Sequence, residues 1–315
     1  HPVRINTVHT FVETIVGTNT KACPRLYELF NDAKRLYAAN APSEVTRIRL
    51  ELEAKLGKEA CYALNLGYGK HWAGTNIIPT HDVLKCLLTH GAELPAWADA
   101  QLAADTHRIA GTQIAYLMQR AGDGATIEKM TRLGIGRFLG HISDSMCDRV
   151  REYEREKSQN HLKNNNNNIN NNNNMPCPQM LLYSGHDTSV MPVLVAYRLY
   201  NGDWPQYCSS IAWELYADTR SPATTSDLTF SSDFNSKEHE KYVVRVLYNF
   251  SPVKLQTESG KMGHSFIPLS EFKQLSKTLA PDEAEFEREC APVTRKGTAT
   301  RDEKNARIKM DGGKF

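Results

Sequence analysis

Ten of the eleven residues from Asn164 to Asn174 are asparagine, with Ile169 the sole interruption, and this tract divides the chain into halves that obey different hydrophobic periods. A run of polar amides cannot bury enough apolar surface to offset its ordering entropy, so residues 161–175 read as a disordered, Asn-rich loop insertion. The alternative is a functional aggregation or binding element. On either side lies sequence that can pack. With 315 residues in all, length allows about two domains, or one large domain carrying an insertion.

Upstream of the tract the period is helical. Val45, Ile48, Leu52 and Leu56 recur at steps of three and four behind Pro42 and Ser43, a plausible N-cap, and Gly57 stands at the stop position. Ala103, Ala110, Ile114 and Leu117 mark a second helix, and Phe138, Ile142, Met146, Val150 and Tyr153 a third. Residues 2–16 mix β-branched and polar residues and suit a short strand. Downstream the period changes. Met180 to Tyr183 is a continuous apolar run bounded by Pro178 and Gly185, the pattern of a buried parallel strand, and Thr188 or Ser189 can cap a helix behind it. Alternation predicts two further strands, around Ile211 to Tyr216 and Val244 to Tyr248. The expected fold is α/β, a mostly parallel sheet flanked by helices with an inserted, mostly helical lobe. Residues 1–22 and 176–292 form the α/β core, 23–160 the lobe and 293–315 a flexible tail.

Charge narrows the partners. Lys and Arg number 38 against 36 Asp and Glu, and no dense basic stripe supplies the field nucleic acid requires. Apolar runs fall far short of the ~18 to 20 residues that span a bilayer. Seven cysteines are too sparse for a disulfide scaffold and include no Cys-x-x-Cys pair. One Asn-x-Ser sequon, Asn249-Phe250-Ser251, is followed at once by Pro252, and such tripeptides also arise by chance.

The sharpest chemical feature is Tyr183-Ser184-Gly185-His186-Asp187-Thr188, where an apolar strand is expected to end and a helix to begin. Strand carboxyl ends gather ligands in open α/β sheets, and a helix N-terminus offers unpaired N–H donors suited to a phosphate. His186 can donate to a phosphoryl oxygen, and Asp187, held protonated by a bound dianion, can give its proton to a leaving alkoxide. A His-Asp dipeptide alone is weak evidence. The chain holds a second one, His81-Asp82, which reads as a helix cap or loop.

Together with Gly202-Asp203-Trp204-Pro205 and Trp213-Glu214-Leu215-Tyr216, this motif resembles the C-terminal half of the histidine acid phosphatases, the second branch of the histidine phosphatase superfamily. The lysophosphatidic-acid and prostatic types are the nearest. Ala22-Cys23-Pro24-Arg25-Leu26, Leu94-Pro95-Ala96-Trp97 and the segment from Phe286 to Cys290 extend the likeness over roughly residues 2–292, the Asn tract omitted. The resemblance implies a phosphomonoesterase in which a nucleophilic histidine forms a phosphohistidine intermediate and arginines hold the phosphate, with no metal or other cofactor. His186 and Asp187 would be the catalytic residues present. It also implies a Cys23–Cys290 disulfide, hence a secretory, lysosomal or extracellular setting rather than a cytoplasmic one, and a small phosphate monoester as substrate, a lysophospholipid or other organic phosphate. The family's Arg-His-Gly-x-Arg-x-Pro motif, which carries the nucleophile and two phosphate-binding arginines, has no match here. Since residue 1 is His and the match starts in mid-domain, a partial chain explains this more simply than a diverged paralogue.

Two other readings compete. One is a catalytically inactive, phosphatase-like binding module. The other is a metal-dependent hydrolase using His71, His81-Asp82 and His186-Asp187, which would require helical ligands. Trp72, Trp204 and Trp213 read more simply as core than as pocket walls, and Arg198 and Arg245 as an exposed charged face rather than phosphate ligands. Gly134-x-Gly136 lacks the strand and spacing of a dinucleotide loop.

Overall fold

A computed structural model describes residues 7–9, 13–63, 72–165, 179–217, 241–256 and 265–292, apart from the side chains of 160–165. Seven helices fill the first half: α1 (Pro24–Ala39), α2 (Ser43–Leu56), α3 (Lys58–Ala63), α4 (Ile78–Thr89), α5 (Ala100–Gln119), α6 (Gly124–Thr131) and α7 (Arg137–Asn165). A π-helical segment, Arg132–Gly136, leads into α7. Helix α2 begins one residue earlier than the cap expectation, with Pro42 rather than Ser43 as N-cap, and buries Val45, Ile48 and Leu52 as its period requires. It stops at Gly57, whose φ of +80° is costly for residues with a Cβ. The Asn tract beyond α7 lies outside the described residues from 166 onward, as does the tail from 293.

After α8 (Asp187–Ala196) come β1 (Ile211–Ala217), β2 (Tyr242–Tyr248), β3 (Ser251–Val253) and β4 (Phe266–Pro268), then α9 (Leu269–Leu279) and α10 (Glu283–Cys290). The sheet is antiparallel throughout, which corrects the parallel expectation. β2 is its centre, pairing with β1 along one edge (Trp213 opposite Val246) and with β3 and β4 along the other. Consecutive strands joined by a tight turn must run antiparallel, and β2 and β3 are joined by Asn249 and Phe250 alone. Alternate β2 residues Tyr242, Val244 and Val246 point into a core shared with Phe138, Leu139, Ile142 and Met146 of α7 and with Leu269 and Phe272 of α9.

One expected strand is absent among the described residues. Met180 to Tyr183 has no ladder partner among the described residues. Successive side chains of an extended chain face opposite ways, and Leu181 and Leu182 are 46 % and 84 % exposed, so of this run only Tyr183 packs against the core. At the amino end, the strand expected over residues 2–16 lies partly outside the described residues, and its described parts, 7–9 and 13–16, show no ladder. The Glu13 carboxylate accepts the backbone N–H groups of Ile15 (2.5 Å) and Val16 (2.9 Å), the donors a strand would need.

Cys23, the N-cap of α1, is bridged to Cys290 at the end of α10, their Cα atoms 4.8 Å apart. Both are buried beside Leu26, Leu133 and Phe286. The bridge closes a loop of 267 residues. Substituting Ser for both cysteines should lower stability by ~3 to 5 kcal/mol in the chain-entropy model. Urea denaturation of the wild type with and without reductant checks this; equal midpoints would show that the link contributes nothing.

Candidate functional site

His186 is the N-cap of α8, its backbone extended at φ −122° and ψ 179° and its side chain exposed. It therefore stands at the helix mouth rather than inside the helix. Its carbonyl accepts from Ser189 N (2.9 Å) and Val190 N (3.0 Å), and its own N–H donates to Ser189 Oγ (3.3 Å). The cap is thus two or three residues earlier than the Thr188 or Ser189 read from sequence. Asp187 is half-buried in the first turn and accepts from Thr188 N at 2.6 Å. Both side chains occupy the positive end of the helix dipole.

The turn is held from two sides by segments far away in sequence. Pro192 lies inside α8 and cannot donate to the carbonyl of Thr188, four residues earlier. The Thr18 hydroxyl approaches that freed oxygen instead, at 3.4 Å. On the other side Tyr183 shares a 2.8 Å hydrogen bond with His141 Nε2 and sets its ring edge-on to Phe138, 5.1 Å between centroids. Burial raises the Tyr183 phenol above its usual range, against a hydrogen bond with Ser145 that lowers it. Gly185 has no room for a side chain, since a Cβ there would lie 2.7 Å from Ser189 Oγ and 2.9 Å from Ser189 Cβ.

His81-Asp82 requires a correction. The pair is neither cap nor loop: it lies inside α4, whose N-cap is Ile77, because Pro79 near the start is compatible with the first helical turn. His81 is 2 % exposed and touches the rings of His107 and Trp204, each 5.0 Å away. Asp82, on the same helix, feels the charge of Asp187. Its carboxyl is pushed above the ordinary range by desolvation first and by the Asp187 charge second, although its side chain reaches solvent. Tyr200 and Tyr207 are also shifted upward, by burial chiefly, with Asp187 among the charges they feel. The Tyr200 hydroxyl in turn contacts Met191 Sδ in α8, 3.5 Å away. Nothing in residue spacing reveals that Thr18 would reach α8, that His141 would hold Tyr183 or that Asp82 would feel the Asp187 charge.

The remaining candidates sit elsewhere. Arg245 pairs with Glu214 across the sheet (2.6 Å) and lies over Tyr216 and Phe266, while Arg198 donates to Gln256. Trp72 meets Tyr37 edge-on, and Trp213 meets Phe138 edge-on while donating to Tyr197, so both are packing residues. Gly134 and Gly136 are buried in the π-helical segment, where a Cβ on Gly136 would collide with the Leu279 carbonyl. His71 lies outside the described residues. Among the described residues no three His, Cys, Asp or Glu side chains gather as a metal site, and no helix is long and apolar enough to cross a membrane.

An exposed imidazole and an adjacent carboxyl thus stand together at a helix N-terminus, and the chain is similar to proteins of one class: relatives at 22–27 % identity are named acid phosphatases. Among them are a "probable acid phosphatase" of Dictyostelium discoideum, 27 % identical over 49 % of this chain and 28 % of the relative, and lysosomal acid phosphatase of Bos taurus, 24 % identical over 69 % and 43 %. Testicular acid phosphatase of Mus musculus is 22 % identical over 70 % and 44 %. The chain thus spans between about a quarter and under half of the length of these relatives. No family model matches it.

Two outcomes follow from this geometry. Gly185→Ala should cost roughly 1 to 3 kcal/mol through overpacking and displace the His186 imidazole, seen as a changed ring resonance by NMR; an unchanged spectrum and midpoint would show that the turn yields freely. Burial, then His107 and Lys85, lowers the His81 pKa from 6.5 to about 4. The unfolded state therefore binds more protons between those values, so this contribution is complete above 6.5 and lost as pH falls toward 4, by about 3 kcal/mol at most. Urea midpoints at pH 7 and 4.5 should converge in His81→Phe relative to wild type.

Proposed function

We propose that this chain is part of a phosphate-monoester hydrolase of the acid phosphatase type, working through a phosphohistidine intermediate whose nucleophile lies in polypeptide outside these 315 residues. The observation that carries the reading is the exposed His186–Asp187 pair at the amino end of α8, beside acid phosphatase relatives. In this mechanism a bound phosphoryl group sits against the positive end of α8. The His186 imidazole donates to one of its oxygens, and the Asp187 carboxyl delivers a proton to the departing alkoxide. An external histidine attacks phosphorus, and water then releases inorganic phosphate. Uncovered Met180, Leu181 and Leu182 support the same view, because a strand added beside them would bury apolar surface next to the site. The α/β core of 1–22 and 176–292, with 23–160 as a helical lobe, is the domain division that goes with it. The Cys23–Cys290 bridge and the relatives named lysosomal support passage through an oxidising, secretory compartment.

An inactive binding module has a specific observation in its favour, namely that no Arg-His-Gly-x-Arg-x-Pro segment occurs in the sequence. The pure chain is therefore expected to leave p-nitrophenyl phosphate intact. Joined to an upstream segment carrying that motif, it should hydrolyse the ester, with Asp187→Asn slowing turnover by ~10² to 10⁴. Hydrolysis by the chain alone that His186→Ala abolishes would refute the requirement for an external nucleophile, and a joined, folded enzyme insensitive to Asp187→Asn would refute the proton-donor role.

A further inference from the structure

The hairpin between β2 and β3 carries a feature that neither the core nor the proposed hydrolysis uses. Its two turn residues, Asn249 and Phe250, are the first two of Asn249-Phe250-Ser251, and both have left-handed backbone, with φ +48° and +65°. Asn enters that region readily because its short polar side chain bonds locally, whereas a bulky residue there is an outlier. Glycine is the usual second residue of such a turn. Packing does not account for the aromatic ring, since Phe250 is 86 % exposed. Asn249 itself is anchored: its N–H donates to Ser210 O (2.9 Å), and Ser210 N donates to Asn249 Oδ1 (3.0 Å). The amide oxygen is thereby committed to the protein. Nδ2 has no protein partner among the described residues, and Asn249 and Ser251 are both exposed at the hairpin tip.

We propose that Asn249 is an N-glycosylation site, with the Phe250 ring offering the first sugar an apolar face. Nδ2 attacks the anomeric carbon of a lipid-pyrophosphate-linked oligosaccharide. A C–N bond forms, the C–O bond to the pyrophosphate breaks, the amide gives up one proton, and the lipid pyrophosphate departs with the electron pair. The inference rests on the secretory part of the proposed function and is independent of the hydrolysis. Pro252 follows the sequon and restricts the backbone at Ser251, so partial occupancy is expected.

The test is to route the full chain through the secretory pathway of a eukaryotic cell behind a cleavable signal peptide, then treat it with peptide-N-glycosidase. A glycosylated fraction should gain mobility and leave aspartate in place of Asn249 in peptide maps. Ser251→Ala, which keeps both turn residues, should abolish the shift. A wholly unmodified Asn249 in secreted chains whose Cys23–Cys290 bridge has formed would overturn the inference, as would a glycan that persists in Ser251→Ala. Glycosylated chains with both cysteines alkylated would uphold the glycan while removing the bridge from the compartment argument.

Discussion

The ring of Phe138 joins the two halves of the molecule. It is buried in the core between α7 and the sheet, edge-on to Trp213 of β1 at 5.8 Å and to Tyr183 at 5.1 Å. Aromatic pairs at such distances add roughly 0.5 to 1.5 kcal/mol each beyond the area they bury. Here the geometry matters more than the sum. Tyr183 is two residues from Gly185, and no strand partner among the described residues holds that segment, so α7 sets where the His186 turn begins.

The turn is consequently assembled from several regions. α7 fixes its start through Phe138 and His141, and Thr18 supports the Thr188 carbonyl that Pro192 leaves unbonded. α4 brings Asp82 into the field of Asp187, anchored by the contact of His81 with Trp204. A proline inside α8 and a buried histidine in α4 both look unfavourable locally. Thr18 meets the carbonyl that the proline frees, and Trp204 packs against the histidine ring, both distant in sequence, so the site depends on tertiary packing.

Much of the local structure was legible in the residues. The three- and four-residue steps from Val45 to Leu56 correspond to α2, the alternation at Trp213 and Val246 to a pair of strands, and the strand-period and helix-period halves to the two sides of the Asn tract. The misreadings share one cause. Met180 to Tyr183 was expected to be buried because continuous apolar runs usually find cover, but cover belongs to the neighbours of a strand and not to the strand. At residues 13–16, a described part of the strand expected over 2–16, Glu13 diverts backbone donors by two hydrogen bonds that composition does not reveal. His81-Asp82 was misplaced because helix starts depend on where tertiary contacts let the first turn form.

By itself, then, the sequence determined the helical character of the first half, the strands β1 and β2, that His186 and Asp187 stand near a helix N-terminus, and which family the chain resembles. These properties depend on residues within one or two turns of each other. Strand direction, the solvent exposure of residues 180–182 and the approach of Thr18, His141 and Asp82 to the His186 turn were decided by the tertiary structure. The 3.4 Å contact between Thr18 and Thr188 spans 170 positions of chain, and hydrophobic period carries no information over such a separation.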